Sequence, residues 1–482
     1  MPEPLLAVDV GTTTARAAVF TPGGVMEGIA RAPLTCASPR PGRVEQDAAK
    51  VWRAARRAIA DALASCGRAP SAIAAIGVTS QRTSIVVWDK ATGAPLTPLV
   101  IWSDLRGAER ARELVAAGFF LATQQAAAKL ESVLAGVEAP RRRLAWGNID
   151  SFLMWKLTGG AVHATDASQA WPTGYLDLAT LDWNHALIAH QGLDEAMFPR
   201  LVDTWGPIGV TAPKAFGAAV PIAADIADQQ SALIAHGEGA GMAKVTYGTA
   251  AALDVATGAE FMFKSPTAPP FVLSRAAGET RFCVEAMVLS AGAALDWMRG
   301  ALRLGDHARF EALAASVPDA AGAAFLPALN GLGAPHGDLA RRAGLTGLSA
   351  QVTAAHIARA ALEGVAFRVR EAFDHVFGVT GLTPPETLGA DGGLTANQTF
   401  LHIQADLLGR PLRRHAIVEA TAAGAALAAG RGVGLLSPAD ERAFTRYDKV
   451  FEPRIGADEA EERFSKWQSQ VHLINPVVGR SD

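Results

Sequence analysis

The sequence predicts an α/β protein of two domains, and three observations support that prediction. The chain has 482 residues, more than one hydrophobic core usually organises. Short apolar runs typical of strands alternate with longer stretches of helical spacing. A strand, a glycine–threonine turn and a second strand occur at residues 5–20 and again at 242–257. Each half of the chain therefore opens with the same kind of hairpin.

The predicted boundary between the halves lies in the glycine-rich stretch 237–242, "GEGAGM", whose composition suits a hinge. We therefore expect an N-terminal domain at 1–240 and a C-terminal domain at 241–436. The remaining residues, 437–482, form a tail in which "DEAEERFSKWQSQVHLI" has helical spacing. We expect this tail to pack on the surface as a helix.

The elements of the first half alternate between strand and helix. Asp47 suits an N-cap, and apolar residues recur at helical spacing from Val51 until Gly67 ends the helix. The stretch 220–237, "VPIAADIADQQSALIAHG", is typical of a strand that runs directly into a helix. The other strands of this half are predicted at 5–10, 15–20, 25–34, 73–81 and 84–89.

The second half follows the same scheme. Its opening hairpin, "MAKVTYGTAAALDVAT", has Gly248 and Thr249 at the tip. A long helix is predicted at 353–376, and a strand, a double-glycine turn and a helix follow at 386–409. The apolar stretch that begins at Ala420 is rich in alanine and glycine, which favours a tightly packed internal helix over a membrane span.

The composition excludes several classes of protein. The formal net charge is −3 and basic residues are scattered, so we expect no nucleic-acid partner. Three cysteines, far apart and without a C-x-x-C motif, indicate reduced thiols and a cytoplasmic protein. The first residues, "MPEPLLAVDV", lack a basic segment and lead into a strand, so we expect neither a signal peptide nor a membrane partner.

The first hairpin has the residues of a phosphate site. A glycine–threonine turn offers backbone N–H groups and hydroxyls to one small volume, which suits phosphate oxygens. Asp9, at the end of the first strand, is placed to hold Mg²⁺ directly or through water, and Arg16 adds a positive charge. A purely structural hairpin explains one such turn equally well. Two copies favour a pair of hairpins that grip a phosphate chain.

The standard alternatives are missing from the chain. No G-x-x-x-x-G-K-[ST] occurs, and no G-x-G-x-x-G leads from a strand into a helix. H-E-x-x-H and G-x-S-x-G are also lacking. The motifs that do occur resemble, in order along residues 5–435, those of the FGGY carbohydrate kinases: "LLAVDVGTTTARAAVF", "VEQDAAKVW", "TSQRTSIVVWD", "VIWSDLR", "LTGGAVHATDAS", "DQQSAL", "VTYGTA", "LGADGGLTANQTFLHIQADLLG" and "EATAAGAALAAG".

This resemblance implies an actin/hexokinase/Hsp70-like (ribonuclease H-like) fold of two α/β domains around a central cleft. ATP would lie against the C-terminal domain and a small polyol or sugar against the N-terminal domain, with Mg²⁺ as the cofactor. Asp-Gln-Gln and Tyr-Gly-Thr agree with the glycerol kinases in detail. Relatives are frequently dimers, so a homodimer is an expectation as well.

The resemblance also implies roles for single residues. Asp228 would be the general base, although a plain N-cap explains an aspartate at a helix start equally well from this segment alone. The substrate-binding residues implied are Arg82, Thr83, Trp102, Gln124 and Gln229. The nucleotide-binding residues implied are Thr12, Thr13, Thr14, Arg16, Gly248, Thr249, Gly292, Gly393 and Asn397. The metal would be held by Asp9 and Asp228.

Two departures from the glycerol kinases leave the acceptor open. Thr83 follows Gln81 and Arg82 where glycerol kinases carry glutamate, and a threonine hydroxyl accepts hydrogen bonds more weakly than a carboxylate. Gln124 stands where an aromatic residue is usual. Glycerol, a tetritol or pentitol, and a ketopentose such as xylulose all remain as acceptors. A different class, a non-catalytic sugar-binding regulator or an actin-like scaffold, would bind nucleotide without acceptor-dependent turnover.

Overall fold

The computed structural model describes residues 3–472, which form two compact units. The first unit comprises residues 3–235, 271–281 and 421–444. The second comprises residues 236–270, 282–420 and 445–472. Neither unit is one continuous segment, because later parts of the chain return to the first unit. Residues 473–482 of the predicted tail lie outside the described residues.

The strands and helices follow each other in an α/β pattern. The strands are β1 (Leu5–Val10), β2 (Thr14–Phe20), β3 (Met26–Pro33), β4 (Glu45–Gln46), β5 (Ala75–Ser80), β6 (Val86–Asp89), β7 (Leu99–Val100), β8 (Leu144–Gly147), β9 (Ala164–Asp166), β10 (Leu176–Asp177), β11 (Asp182–Trp183), β12 (Arg200–Val202), β13 (Trp205–Val210), β14 (Pro221–Ala227), β15 (Ala243–Tyr247), β16 (Ala251–Gly258), β17 (Pro270–Ala276), β18 (Glu279–Val288), β19 (Ala324–Leu326), β20 (Gly344–Thr346), β21 (Leu388–Asp391), β22 (Leu412–His415) and β23 (Tyr447–Phe451). The helices are α1 (Ala48–Ser65), α2 (Ala108–Ala116), α3 (Ala126–Leu134), α4 (Ile149–Leu157), α5 (Ala167–Ala170), α6 (His185–His190), α7 (Pro213–Phe216), α8 (Asp228–His236), α9 (Gly292–Ala301), α10 (His307–Ala315), α11 (Ala354–Thr380), α12 (Gln398–Leu408), α13 (Ala420–Gly432), α14 (Pro438–Phe444) and α15 (Ala457–His472).

The sheet of the first unit has the strand order β13-β14-β5-β1-β2-β3. Strand β1 pairs antiparallel with β2 and parallel with β5, and β14 also runs parallel to β5. The register joins Val10 to Ser80 and Ser80 to Ala227. The carboxyl ends of three parallel strands therefore meet at one edge of this sheet.

Helix α1 covers the first sheet as the spacing predicts. Asp47 caps it, because the aspartate Oδ1 accepts the N–H of Lys50 at 2.9 Å. The apolar stripe from Val51 to Leu63 is buried in one cluster with residues of the sheet such as Val8 and Val19. Each large apolar side chain buried here stabilises the fold by roughly 1.5–3 kcal/mol.

Helix α13 packs so closely within the first unit that only glycine fits at two contacts. A Cβ added at Gly77 would lie 2.1 Å from the carbonyl oxygen of Ala425. A Cβ added at Gly424 would lie 1.8 Å from the carbonyl oxygen of Ser231. The predicted internal helix is therefore confirmed. Among the helices of residues 3–472, none combines the length and the apolar character that crossing a membrane requires.

In the sheet of the second unit, β18, β16, β15, β21, β22 and β23 lie side by side in that order. Strand β15 pairs antiparallel with β16 and parallel with β21. The register joins Thr246 to Asp391, so the turn after β15 and the turn after β21 leave the same edge. Helix α11 extends the predicted helix to Thr380 and is buried along much of its length.

The tail has more structure than the single helix predicted for it. Strand β23 pairs antiparallel with β22, with Leu412 opposite Phe451. Helix α15 follows, and the indole N–H of Trp467 donates to the carbonyl of Phe325 at 3.1 Å. Trp467 also stacks on Phe367, with ring centroids 5.0 Å apart. Exposure alternates along β23, with Asp448 and Val450 exposed and Tyr447, Lys449 and Phe451 half-buried or buried, as expected for a strand with one face toward solvent.

Candidate active site

The loops that follow the three parallel strands of the first unit carry most of the predicted residues. Thr12 and Thr13 follow β1, Arg82 and Thr83 follow β5, and Asp228 follows β14 directly. Because these strands end at one edge of the sheet, the structure brings residues from distant parts of the chain together there. Polar loops at the carboxyl ends of parallel strands are where α/β proteins place ligands.

Asp9 and Arg16 face each other across the first hairpin. They are register partners, and Arg16 Nη1 lies 3.0 Å from Asp9 Oδ2. Only 3% of Asp9 is exposed. The predicted metal carboxylate and the predicted phosphate-binding cation thus share one small volume, each restraining the other.

Thr12 is the centre of a hydrogen-bond network. Its hydroxyl donates to Gln81 Oε1 at 2.7 Å and accepts the indole N–H of Trp102 at 3.1 Å. Gln46 Nε2 donates to the carbonyl of Thr12 at 2.7 Å. The first hairpin is therefore tied to Trp102, a residue predicted on the substrate side. The neighbouring hydroxyl of Thr13 is exposed.

The remaining threonine of the predicted phosphate turn, Thr14, begins β2 and is half-buried. It pairs with Pro33 in the register of β2 and β3. Thr12, Thr13 and Thr14 therefore differ in exposure and in partners, although they are consecutive in the sequence.

Asp228 and Arg82 are adjacent. Asp228 is the first residue of α8, and its Oδ1 accepts the N–H of Gln229 at 2.9 Å. Arg82 Nε lies 3.8 Å from the same oxygen. The Arg82 guanidinium carbon lies 4.5 Å from the ring centre of Phe271 on β17. Phe271 was not predicted, since it is far along the chain and its segment resembles any buried strand.

Trp102 and Thr83 have distinctive local geometry. Trp102 is 40% exposed, although its backbone N–H donates to Ser84 Oγ at 3.1 Å. Thr83 has φ +53°, the left-handed region that a β-branched residue rarely adopts. Gln124 lies half-buried in the turn before α3, and within residues 3–472 it makes no hydrogen bond to the other predicted site residues.

A buried lysine underlies the loops of Thr83 and Trp102. Lys129 on α3 is fully buried, and its Nζ donates to the carbonyls of Thr83 and Ile101, each at 3.2 Å. Burial lowers the pKa of Lys129 to about 7; the charge of Asp104 opposes this effect, and the charge of Arg106 adds a smaller lowering. The sequence gives no indication of this contact, because a lysine in a short helix is normally solvated.

Three buried aspartates, Asp150, Asp166 and Asp225, lie near the end of β14, and Asp225 is part of that strand. Asp150 and Asp225 are fully buried, and burial raises the pKa of both carboxyl groups. Asp225 Oδ2 accepts the N–H of Asp166 at 2.9 Å. Ser168 Oγ donates to Asp166 Oδ1 at 2.8 Å and accepts the N–H of Ala227, next to Asp228, at 2.9 Å. This network fixes the backbone that presents Asp228.

The aspartate network makes stability depend on pH. Burial, together with the charges of Asp150 and Asp166, raises the pKa of Asp225 well above its ordinary value of 3.8. Burial also raises the pKa of Asp166 to about 7. The folded protein keeps protons that the unfolded chain releases near its lower pKa. This stabilisation is therefore complete at low pH and lost as the pH rises through the folded pKa values.

We expect Asp225→Asn, which carries a permanent donor, to lose less stability than the wild type as the pH rises. The melting temperature of the variant relative to the wild type should increase between about pH 5 and about pH 9. Scanning calorimetry at several pH values measures this difference. Asp61→Asn, at an exposed helix position, is the control, and its difference should stay constant. A constant difference for Asp225→Asn would contradict the raised pKa of Asp225.

In the second unit, the turn after β15 meets the start of α9. The N–H of Gly292 donates to the carbonyl of Gly248 at 2.9 Å, and the N–H of Ala291 donates to the carbonyl of Thr249 at 3.0 Å. A Cβ at Gly292 would lie 2.6 Å from the carbonyl oxygen of Gly248. The structure thus brings Gly248, Thr249 and Gly292 together.

The double-glycine turn after β21 lies against the same hairpin. Gly392 has φ +90°, and a Cβ there would lie 2.6 Å from the carbonyl oxygen of Tyr247. Gly393 begins a 3₁₀ turn. Asn397 caps α12, because its Oδ1 accepts the N–H of Phe400 at 2.8 Å. Gly393 therefore follows directly on a glycine packed against the end of β15, and Asn397 lies at the start of the next helix.

A buried polar cluster supports these turns. Asp391 Oδ2 lies 2.9 Å from His236 Nε2 and accepts the hydroxyl of Thr246 at 3.1 Å. Burial favours the neutral acid, but the hydrogen bond from His236 and the charge of Lys244 outweigh it, so the pKa of Asp391 is lowered. Burial lowers the pKa of His236 to about 4. Sequence reasoning missed His236 and Lys244, which lie in segments of ordinary appearance.

Comparison with known proteins agrees with this geometry. Residues 5–235 match the N-terminal domain, and residues 243–433 the C-terminal domain, of the FGGY family of carbohydrate kinases. The chain is 39% identical to a glycerol kinase of Thermus brockianus, over 97% of each chain. It is also 39% identical to one of Alkalilimnicola ehrlichii, over 97% of this chain and 98% of the relative.

Solved structures share the fold. A Plasmodium falciparum glycerol kinase with ADP matches with a TM-score of 0.87 at 24% identity, over 98% of each chain. A xylulose kinase from Rhodospirillum rubrum matches with a TM-score of 0.82 at 25% identity, over 98% of this chain and 99% of that one. The predicted two-domain α/β fold of this family is confirmed. The chain belongs to the FGGY family of carbohydrate kinases and is an ATP-dependent carbohydrate kinase.

Proposed function

We propose that this kinase transfers the γ-phosphoryl group of ATP to a hydroxyl of a small polyol held by the first unit, with Asp228 as the general base. The observation that carries this proposal is the pairing of Asp228 and Arg82 at the shared ends of three parallel strands. Relatives 39% identical to this chain are glycerol kinases, which supports a small polyol as the acceptor.

Phosphoryl transfer requires an oriented acceptor hydroxyl and a base beside it. Asp228 is held by the N–H of Gln229, so its carboxylate has a defined direction from which to accept the proton of the acceptor. Arg82 is held by Phe271 and is positioned to donate to acceptor hydroxyls. We assign Trp102 to the wall of the acceptor site and Thr83, Gln124 and Gln229 to further hydrogen bonds with the acceptor.

We assign nucleotide binding to the glycine turns of the second unit and to the first hairpin. Backbone N–H groups at turns that lack a Cβ can approach phosphate oxygens closely. The residues assigned are Thr12, Thr13, Thr14, Arg16, Gly248, Thr249, Gly292, Gly393 and Asn397. In this proposal residues 1–240 bind the acceptor and also supply the first hairpin, and residues 241–436 supply the other nucleotide-binding residues.

The donor set fits Mg²⁺. Within the described part of the chain, no group of three or more His, Cys, Asp or Glu side chains is arranged to hold a metal ion. Mg²⁺ in kinases is usually bound by one or two carboxylates together with the phosphates of the substrate. Asp9 and Asp228 would hold it, and the ion would neutralise charge on the phosphates. Free cysteines and ATP use support a cytoplasmic location.

The acceptor site differs from that of the glycerol kinases at Thr83, and this difference has a measurable consequence. We expect Thr83→Glu to shift the preference toward glycerol, because a carboxylate accepts hydrogen bonds from two neighbouring hydroxyls more strongly than a threonine does. The ratio of kcat/KM for glycerol to that for D-xylulose should rise by about tenfold, the effect of one improved charged hydrogen bond.

Thr83→Gln is the matched control for that experiment. It has nearly the same size as glutamate but lacks the charge, so it should shift the ratio much less. An unchanged ratio in Thr83→Glu would contradict the assignment of Thr83 to acceptor choice. A retained preference for the larger acceptor would then have to come from Gln124 or from the walls of the site.

A further inference from the structure

Lys129 is a buried lysine, protonated below its pKa of about 7, that the proposed transfer does not use. It lies on α3, where its neighbour Leu130 is buried in an apolar cluster with Ile85 and Val100. A lysine in such surroundings is rare, because transfer of an ammonium group out of water is costly unless the group is hydrogen-bonded. Hydrogen-bond acceptors are therefore expected around its ammonium group.

The ammonium group of Lys129 joins two loops. One acceptor is the carbonyl of Thr83, the residue after Arg82, and the other is the carbonyl of Ile101, the residue before Trp102. Both distances are 3.2 Å. One buried side chain thus reaches the backbone beside two residues assigned to acceptor binding.

The two loops are also paired with each other. The backbones of Ile85 and Val100 exchange two hydrogen bonds, of 2.9 and 2.8 Å. The N–H of Trp102 donates to Ser84 Oγ at 3.1 Å. Lys129 adds a third connection between the two loops, through the carbonyls of Thr83 and Ile101.

The turn itself needs such support. Thr83 has φ +53°, a conformation that crowds the Cβ of a β-branched residue. In this conformation its carbonyl points into the protein toward Lys129, and the neighbouring carbonyl of Arg82 lies 3.3 Å from Ser84 Oγ. A hydrogen bond from a charged donor to the carbonyl of Thr83 favours this conformation over relaxed alternatives.

Ion pairing with carboxylates explains the burial of Lys129 less well than hydrogen bonding to the two carbonyls does. The charged groups near it are Asp104 and Arg106. The oxygens of Asp104 already accept from the N–H of Val44 at 2.7 Å and from the side chain of Arg106 at 2.8 Å. The direct partners of the ammonium group are the two carbonyls.

We propose that Lys129 is a positioning residue of the acceptor site, whose ammonium group fixes the loop of Arg82 and Thr83 relative to the loop of Trp102. The inference rests on the proposed function for its kinetic consequence only. The positioning itself is a property of the free protein and can be measured without ATP or an acceptor.

The test compares Lys129→Met with Leu130→Ala. Methionine keeps the length of the buried chain but cannot donate, whereas Leu130→Ala weakens the apolar packing of the same helix and leaves both carbonyl contacts in place. Hydrogen exchange followed by mass spectrometry on the free proteins should show faster exchange in peptides covering 82–86 and 100–104 for Lys129→Met. The Leu130→Ala protein loses packing in the cluster that contains Ile85 and Val100, so it should show a smaller increase in these peptides than Lys129→Met.

Kinetics then report the consequence for binding. In Lys129→Met, the KM for the acceptor, measured with glycerol and with D-xylulose, should rise by about tenfold or more, the effect of losing a charged hydrogen bond. The KM for ATP should stay within about twofold, because the nucleotide residues are untouched. A purely structural role would instead lower the amount of active enzyme and leave both KM values unchanged.

A double-mutant comparison distinguishes release of the backbone strain at Thr83 from a general increase in the flexibility of the two loops. Glycine adopts φ +53° without crowding, so Lys129→Met should accelerate exchange at 82–86 less in a Thr83→Gly background than in the wild type. Unchanged exchange of both loops in Lys129→Met, or an equal increase in Leu130→Ala, would overturn the positioning role. Absence of turnover in the wild type with every acceptor would instead contradict the proposed function and leave the exchange result to decide this inference.

Discussion

Asp228→Asn is expected to lower kcat by roughly 10²–10⁴-fold while the protein folds normally, the range typical for loss of a general base. Asparagine retains the shape of aspartate but cannot accept the proton of the acceptor hydroxyl. The variant should keep the N–H contact of Gln229, since an amide oxygen also accepts hydrogen bonds. Initial rates of ADP release at saturating substrates measure the effect.

The position of Asp228 allows this substitution without disturbing the groups that support its backbone. The buried aspartates and Ser168 fix the backbone at Ala227 and remain unchanged. The melting temperature should therefore stay close to that of the wild type. Asp61→Asn, an exposed change on α1, provides the control for activity. If Asp228→Asn retained full turnover, Asp228 would be an N-cap and the base would have to be another residue.

Arg82→Met is expected to raise the KM for the acceptor by roughly ten- to a hundredfold, because hydrogen bonds from a charged donor contribute about 1.5–3 kcal/mol. Arg82 lies 3.8 Å from Asp228 and stacks on Phe271, so its guanidinium is held in place before the acceptor binds. The loss of the charge beside Asp228 should also lower kcat. Steady-state kinetics with the acceptor varied at saturating ATP measure both effects.

Two comparisons sharpen this second experiment. Arg82→Lys keeps the charge but loses the planar fork, so its KM should lie between those of the wild type and Arg82→Met. Arg57→Met removes an exposed arginine from α1 and should leave the kinetics unchanged. If the KM for ATP rose in Arg82→Met while that for the acceptor did not, Arg82 would belong to the nucleotide side.

The part of the site that follows strands could be predicted from the sequence. Asp9, Arg82 and Asp228 each stand where an apolar run ends, and parallel pairing of β1, β5 and β14 brings those ends together. The alternation of strands and helices indicated two α/β halves for the same reason, since buried strands and amphipathic helices leave clear periodic signals.

Other parts of the site depend on contacts that no local pattern encodes. Phe271 reaches Arg82 from a late strand of the chain, and its segment is typical of any strand. Lys129 would be read as a solvated residue, because burial of a lysine is set by the surrounding loops and not by its own helix. The raised pKa values of Asp150 and Asp225 likewise arise only when two distant segments bury these carboxyl groups together.

The same reasoning applies to the division into units. A boundary at a glycine-rich stretch is a local signal, whereas the return of residues 421–444 to the first unit depends on the close packing of α13 against Gly77. The tail likewise contains one element with a local signal and one that depends on a distant strand. Its helix has an amphipathic period, but strand β23 is five residues long and forms through its pairing with β22.

The most direct test of the account is acceptor-dependent ADP release by the wild-type enzyme with Mg-ATP. The acceptors are glycerol, erythritol, threitol, xylitol, ribitol, xylulose, ribulose and dihydroxyacetone. We predict that at least one of them raises ADP release far above the rate with ATP alone and yields an equal amount of phosphorylated acceptor. ATP binding without any increase in ADP release across all of these acceptors would contradict the account and would favour a sugar-binding regulator of the same fold.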